Sequence, residues 1–286
     1  MRLFCKCIRE NFASPLTYIA AVLFAVLCAF GVKIQIDDEF FSFFEVIFNE
    51  KYFSKAIELS ECSSYTMSLR FDNSEWYAIG IAVLTTVPAL FTYIRTIDKM
   101  QNFALIRTNY RTYSAGIVFS SFLTGVIITI AGILLYSSVV YLAFPSIEQF
   151  EDPILKEIYG KTVAERLPNL LKKILNHAFV GGLLPVIGIT LYRFIRSDFL
   201  AASIPMMIMY ISVKIIPNYR EWLSSDEERS QNVFFKLFLM FFPSNLTMFG
   251  SALESSMNMP FWIAYIVLGA FLGVLYLLFN KSVKKV

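Results

Sequence analysis

The sequence predicts an all-α membrane protein with six transmembrane helices, cytoplasmic N- and C-termini, helical extracytoplasmic loops and a re-entrant segment before the last helix. Three observations predict it: a high apolar content, long uncharged runs and an uneven distribution of basic residues. Of the 286 residues, 57% are apolar and 16% are charged, whereas a soluble domain carries about 25% charged residues. The mean hydropathy is +0.60. Six spans leave no room for a separate soluble catalytic domain of roughly 100 residues.

The uncharged runs place the spans, because a spanning helix needs roughly 20 apolar residues. In order they lie at 15–32, 77–94, 115–142, 174–192, 199–213 and 261–279. Segment 237–253 is also uncharged, but Pro243 divides it into pieces too short to span. We expect it to be re-entrant, with Asn245 and Thr247 at the outer mouth of a conduit.

The distribution of charge predicts the orientation. The inner segments 1–14, 95–114, 193–198 and 280–286 are rich in Lys and Arg, whereas the outer loops 33–76, 143–173 and 214–260 hold more acidic than basic residues. A seventh span would move Lys281, Lys284 and Lys285 outside. The net charge of +3 is scattered, which excludes a nucleic-acid partner, since that requires a clustered basic face.

The outer loops are long enough to carry structure of their own. In 33–76, Phe40, Phe44, Ile47 and Phe48 recur at helical spacing and predict an amphipathic helix. In 143–173, an apolar stripe predicts that the fourth span extends outward as a helix, which Pro168 starts or kinks.

The inner segments each predict one short helix. Segment 1–14 alternates apolar residues with Arg2, Lys6 and Arg9, which is typical of an interfacial helix. Segment 95–114 has helix-forming residues and an apolar face, and it is interpreted either as a docking helix or as a basic loop that only sets topology. The docking candidates are Asp98, Lys99, Met100, Asn102, Phe103, Arg107 and Arg111.

Motifs for catalysis or metal binding are not evident in the sequence. There is no H-E-x-x-H motif, and the single histidine, His177, is expected to be a polar residue at the outer end of the fourth span. Of the four cysteines, only Cys62 is predicted to be outside, so no disulfide is expected there. We therefore expect neither an enzyme nor a metal or other cofactor held by this chain.

The composition of the spans bears on transport. They contain no Asp or Glu, which disfavours a proton-coupled carrier. Pro88, Pro185 and Pro205 lie within spans and are either hinges of a conduit or prolines of the kind that membrane helices commonly tolerate. Gly269 and Gly273 would allow a neighbouring helix, in this chain or another, to approach closely.

The layout resembles the permease subunits of six-span ATP-binding-cassette exporters of the drug, polysaccharide and bacteriocin-immunity type. Segment 95–114, with Asp98-Lys99 near its start and Arg107-Thr108-Asn109-Tyr110-Arg111 at its end, is similar to the coupling helix of that family. Segment 1–14 is similar to its interfacial helix. Many members have Glu and then Gly early in this loop, where the present chain has Asp98 and no early glycine.

The resemblance implies a function and partners. The chain would export a hydrophobic or amphipathic substrate, such as a peptide, an antibiotic or a lipid-like molecule, from the plasma membrane of a bacterium. A second permease protomer, membrane lipid and a separate cytoplasmic ATPase holding ATP and Mg²⁺ would be its partners. The alternative is an assembly factor or sensor that binds a partner through its outer loops.

Overall fold

The computed structural model describes residues 2–72, 75–98, 109–150, 162–225 and 262–284. These residues are mostly helical, with one two-stranded antiparallel sheet. In chain order the main elements are helices α1 (Arg2–Ala13) and α2 (Pro15–Phe30), strands β1 (Lys33–Ile36) and β2 (Glu39–Ser42), and helices α3 (Phe43–Phe48), α4 (Glu50–Ala56), α5 (Ser64–Leu69), α6 (Glu75–Thr92), α7 (Tyr110–Ala143), α8 (Val163–Ile195), α9 (Asp198–Ser224) and α10 (Trp262–Lys284).

Four helical stretches of the described chain are long and apolar enough to cross a bilayer, namely Trp76–Arg95, Tyr110–Gln149, Val163–Ile195 and Tyr265–Val283. A fifth is added if the bent pair Cys5–Ala13 and Pro15–Phe30 counts as one span. Helix α9 covers the fifth of the six spans predicted from the sequence. The predicted re-entrant segment 237–253 lies outside the described residues.

The long helices pack as an antiparallel bundle around α8. This helix contacts α6, α7, α9 and α10, and almost every residue from Ile174 to Thr190 on it is buried. Along the chain direction, helices α2, α7 and α9 run toward one end of the bundle, which we call the first end. Helices α6, α8 and α10 run away from it. One apolar cluster, around Phe24 and Ile81, fills the first end, and a second, around Tyr93 and Phe279, fills the other.

Glycines allow the closest approach between helices. A Cβ atom on Gly125 of α7 would lie 2.1 Å from the carbonyl oxygen of Gly181 on α8. A Cβ atom on Gly188 would lie 3.0 Å from the carbonyl oxygen of Ala201 on α9. On α10, by contrast, Cβ atoms on Gly269 and Gly273 would meet no atom within 4 Å. The two glycines predicted to support close helix contact therefore contact no helix among the described residues.

Residues 33–72, which we call the cap, cover the first end of the bundle. Asp37 and Asp38 have φ angles of 50° and 66° and form the turn of a hairpin that pairs β1 with β2. The side chain of Ser42 then accepts a hydrogen bond from the Glu45 N–H, and the Glu45 carboxylate accepts one from the Ser42 N–H. This reciprocal pair begins α3 at residue 43.

The hairpin corrects one sequence prediction. Phe40 lies in strand β2 and is 67% exposed, whereas Phe44, Ile47 and Phe48 lie in the short helix α3. The helical spacing of these residues therefore does not describe one continuous amphipathic helix. The turn at Asp37 and Asp38 matches the twist of paired strands and holds residues 39–42 against β1, so the helix starts only at Phe43.

Helix α8 extends beyond the predicted span, as its apolar stripe indicated. It begins at Val163, so Pro168 lies inside the helix and does not start it. Pro15, by contrast, is the first residue of α2, where its missing N–H costs no helical hydrogen bond. Helix α1 precedes it at an angle of 64° and packs mainly against α7.

Candidate functional site

A buried polar cluster lies where the cap meets the bundle. It consists of Asp72 in the turn after α5, Tyr77 in the first turns of α6, and Lys173 and His177 on α8. Because Lys173 and His177 are four residues apart, they share one face of the helix. That face is turned toward the end of the cap, so residues from three separate segments meet.

The four side chains form a continuous chain of contacts. The Lys173 ammonium donates to the Asp72 carboxylate, with an Nζ to Oδ1 distance of 2.7 Å, and to the Leu69 carbonyl oxygen. The other carboxylate oxygen of Asp72 lies 3.2 Å from Nε2 of His177. On the far side of the ring, the Tyr77 hydroxyl lies 2.8 Å from Nδ1. The imidazole is therefore held between a phenol and a carboxylate.

These contacts lie in a buried region, where water does not compensate charged or polar groups. His177 is fully buried and Asp72 is 3% exposed. The Phe71 ring packs edge-on against the imidazole, with 4.7 Å between the two ring centroids. Burial by itself disfavours the charged carboxylate, but the Lys173 ammonium and the contact with His177 outweigh it and hold the pKa of Asp72 below its ordinary value. A buried charge that keeps both a cation and a hydrogen-bond donor is compensated. The cluster therefore joins the cap to α8 at a defined position.

Three further polar contacts tie the cap to the bundle. The Tyr136 hydroxyl of α7 donates to the Met67 carbonyl oxygen at 2.9 Å. The Tyr65 hydroxyl donates to the Arg166 carbonyl oxygen of α8 at 3.0 Å, and the Ser64 N–H donates to the Pro145 carbonyl oxygen at 2.8 Å. Helix α5 is thereby fixed between α7 and α8.

A half-open pocket of about 170 Å³ lies beside these contacts. The ion pair between Arg166 and Glu148, with an Nη2 to Oε1 distance of 2.9 Å, forms its polar side. Tyr65, Tyr141, Val163 and Leu167 contribute rings and aliphatic groups to its walls.

Two of the predicted conduit residues lie where helices approach each other closely. Pro185 on α8 packs close to Gly125 of α7, and Pro205 on α9 packs near Gly188 of α8. Pro88 lies inside α6, and its carbonyl oxygen accepts a hydrogen bond from the Thr92 hydroxyl at 2.9 Å. Pro243, Asn245 and Thr247 lie outside the described residues.

The predicted docking residues lie mostly outside the described chain. Lys99, Met100, Asn102, Phe103 and Arg107 belong to that part. Asp98 ends a π-helix, Tyr93–Asp98, that continues α6. Arg111 is exposed in the first turn of α7, which begins where the Asn109 side chain accepts a hydrogen bond from the Arg111 N–H at 2.7 Å.

The basic residues of the interfacial segment are on helix α1, as expected. Lys6 and Arg9 are exposed, and Arg2 is part of the same helix. Cys7 faces the opposite way and is buried. All four cysteines are free thiols. Within the described ranges, no three His, Cys, Asp or Glu side chains are grouped closely enough to hold a metal ion.

The sequence-based interpretation missed the buried cluster. It placed His177 at the surface of a helix end, whereas the ring is fully buried. One signal was present: Asp72 comes shortly before Tyr77 at the start of a span, and Lys173 precedes His177 by one helical turn. Comparisons with protein-family models, with curated proteins and with solved structures gave no match.

Proposed function

We propose that this chain crosses a cellular membrane six times, with both termini on the cytoplasmic side. The four long apolar helices and the bent pair α1 and α2 support this, and α9 supplies the remaining span. Because successive helices run in opposite directions, the cap and α1 lie at opposite ends of the bundle. The excess of basic residues in the inner segments then supports a topology with the cap outside and α1 inside.

The same proposal assigns the chain to transport, as the membrane-spanning subunit of an ATP-binding-cassette exporter in a bacterial plasma membrane. The observation that carries it is the arrangement at the inner end. The basic amphipathic helix α1 packs against α7 and α6, and α6 ends and α7 begins at the same end of the bundle. A force applied to residues 99–108 would therefore act directly on α6 and α7, and through them on α1, which packs against both.

In this proposal the energy comes from a partner. A separate cytoplasmic ATPase binds ATP and Mg²⁺, and its closure presses on residues 98–111. A second permease protomer completes the path, and a hydrophobic or amphipathic substrate crosses between the protomers. The π-helix at Tyr93–Asp98 supports this role, because a wider helical turn is less regular than the α-helix and often occurs at functional sites.

Substitution of Phe103, the aromatic residue proposed to contact the ATPase, tests the transport proposal. A buried aromatic anchor contributes about 2 kcal/mol to an interface, so Phe103→Ala should release the ATPase or abolish substrate-stimulated ATP hydrolysis. Met100→Ala should weaken the binding of the ATPase or reduce that hydrolysis. Arg111→Lys preserves the charge and should have little effect. Phe48→Ala, at an 83% exposed ring in the cap, is the matched control. Co-purification and ATP hydrolysis are the measurements; an intact, fully active complex of the Phe103 variant would contradict the coupling role.

The accessibility of introduced cysteines tests the proposed orientation of the chain in the membrane. In a version without native cysteines, a cysteine at exposed Lys51 in the cap should react with a membrane-impermeant thiol reagent in intact cells. A cysteine at exposed Lys6 should react only after the cells are permeabilised. Labelling at Lys6 in intact cells would reverse the proposed topology.

One observation favours a second candidate, an assembly factor or sensor. The cap is a structured unit that displays exposed rings, with Phe40 67% and Phe48 83% exposed. Such a surface suits a protein partner outside the membrane. Double substitution of Phe40 and Phe48 by Ser would then remove the activity, whereas Phe103→Ala would not, so the two candidates give opposite results.

A further inference from the structure

We propose that the pocket between the cap, α7 and α8 binds the headgroup of a zwitterionic phospholipid that carries a primary ammonium group, a phosphoethanolamine lipid. The inference rests on the proposed membrane location. It does not depend on the transport activity, since it concerns a different end of the molecule from the segment that would contact an ATPase.

The first argument is the position of the pocket. Tyr141 and Leu142, at the end of α7, are 50% and 89% exposed, and Leu167 and Leu171 on α8 are about half exposed. Tyr141 and Leu167 also line the pocket, so exposed apolar groups lie at its edge. In the proposed topology they lie where the spans leave the outer leaflet, so a lipid whose acyl chains follow these groups brings its headgroup to the pocket.

The second argument is the charge of the pocket. The Arg166 side chain is 7% exposed and is fixed by a hydrogen bond from Nε to the Thr162 carbonyl oxygen at 3.2 Å. Its charge is balanced by Glu148, whose side chain is 58% exposed. The pair is neutral in sum and presents one donor group and one acceptor group. This pattern matches a headgroup with a phosphate and an ammonium, and it gives no net attraction to an anionic lipid.

The third argument separates the two common zwitterionic headgroups. A primary ammonium has three N–H donors for the Glu148 carboxylate. A quaternary ammonium has none and is recognised by aromatic cages. Tyr65 is not available for such a cage, because its ring already packs against the Arg166 guanidinium, 5.9 Å from its central carbon, and its hydroxyl is bonded to the Arg166 carbonyl oxygen. The Ser64 hydroxyl, which also lines the pocket, suits the phosphate, whereas the Ser146 hydroxyl donates to the Glu148 carboxylate at 3.4 Å.

The test uses native mass spectrometry on the full chain, purified in mild detergent, stripped of lipid and exposed to equal amounts of phosphatidylethanolamine, phosphatidylcholine and phosphatidylglycerol. We expect phosphatidylethanolamine to bind about tenfold more tightly than the other two, because a hydrogen bond between charged groups contributes about this factor. Glu148→Gln should reduce its binding to the level of phosphatidylcholine. Equal binding of the three lipids by the unmodified chain would overturn the inference.

Matched variants exclude indirect effects. Glu165→Gln makes the same change of charge on an exposed residue of α8 that does not line the pocket, and it should leave the preference intact. Leu167→Trp fills the pocket from its exposed wall without disturbing Arg166, and it should abolish binding of phosphatidylethanolamine. A preference that survives in the Glu148 and Leu167 variants, or that is lost equally in the Glu165 variant, would refute the site.

The source of the headgroup and the membrane location are tested separately. Soluble phosphoethanolamine should displace the lipid only at concentrations far above that of the lipid, because it lacks the acyl chains that follow the apolar groups at the edge of the pocket; displacement at equal concentration would show that a soluble ligand occupies the pocket and would overturn the lipid assignment. Sedimentation with membranes and extraction only by detergent test the location independently. If extraction requires detergent but the three lipids bind equally, this inference is wrong and the proposed membrane location stands.

Discussion

The two ends of the helix bundle are held together in different ways. At the cap end, side-chain hydrogen bonds join residues far apart in sequence, such as Tyr65 with Arg166 and Lys173 with Asp72. At the α1 end, buried hydroxyls mostly bond to their own helix: Ser121 donates to the Ile117 carbonyl oxygen and Thr92 to that of Pro88. Exceptions are the Ser114 hydroxyl, which donates to Asn280 on α10 at 3.2 Å, and the Thr17 hydroxyl of α2, which donates to the Asn11 carbonyl oxygen of α1 at 2.7 Å.

This difference indicates which end can rearrange. Polar contacts with fixed partners specify one arrangement, and breaking them leaves buried groups without compensation. A hydroxyl that bonds within its own helix keeps that bond when the helix shifts against a neighbour. We therefore expect the cap end to be rigid and the α1 end to permit helix movement, as the proposed coupling role would require.

The largest expected effect comes from Asp72. Asp72→Asn removes the charge that compensates Lys173 beside the buried His177, and we expect the free energy of unfolding to fall by about 3 kcal/mol. Thermal unfolding in detergent measures this. Asp37→Asn breaks the exposed ion pair with Lys55 and should cost less than about 1 kcal/mol. Equal losses in the two variants would show that the buried cluster does not specify the cap end.

A smaller effect is expected at the helix crossing below the cap. Gly125→Ala places a Cβ atom 2.1 Å from a backbone oxygen of α8, so the helices must separate, at a cost of about 2 kcal/mol. Gly273→Ala on α10 meets no atom within 4 Å and should be neutral or stabilising by up to about 1 kcal/mol. Thermal unfolding of the pair measures the difference; a destabilised Gly273 variant would show that another helix covers α10.

Tyr77→Phe should have a smaller effect again. It removes the hydroxyl that contacts Nδ1 of His177 and should cost about 1 kcal/mol. Because the bond lies at the cap, limited proteolysis within residues 33–72 should accelerate while cleavage near α1 does not. Tyr141→Phe, at a half-exposed ring, is the control. Uniform acceleration along the chain would show that the two ends are not independent.

The smallest effect concerns pH. The pKa of Asp72 is below its ordinary value of 3.8 in the folded chain, so its stabilisation is fully present above about pH 4 and is lost as the pH falls through the folded pKa. Lys173 and His177 face this carboxylate. The stability difference between the unmodified chain and Asp72→Asn should therefore shrink as the pH falls below 3.8. A difference that stays constant below that pH would contradict the assigned charge of Asp72.

The sequence predicted much of the bundle, because spans depend on hydropathy alone. The start of α2 at Pro15 follows from the chemistry of proline, and the outward extension of α8 follows from its apolar stripe. The count of six spans stays a prediction, because it requires α9 to cross the membrane and segment 237–253, before α10, not to cross it. The cap was predicted less well, since the pairing of β1 with β2 depends on two aspartates that adopt positive φ angles. Such angles are rare outside glycine and leave little signal in a single sequence.

The candidate site was not predictable in the same way. The composition identified His177 as the single histidine, but its partners come from a turn and from another helix, and periodicity reports only which residues share a face of one helix. Asp72 lies in the predicted outer loop 33–76, and nothing in the sequence singles it out as buried, because acidic residues are mostly exposed. Its burial is a tertiary effect, produced by the fold of α5 against α7 and α8.

The separation along the chain between the bonded residues has a consequence for biosynthesis. Tyr65 and Arg166 are 101 positions apart, as are Asp72 and Lys173, whereas the hairpin of β1 and β2 forms within ten residues of chain. The hairpin can therefore form soon after the ribosome has made it, while α5 has no partner on α8 until the first half of α8 has been translated. In the proposed topology, a chaperone or protease outside the membrane would meet an α5 that is not yet bonded to α8 only during that interval.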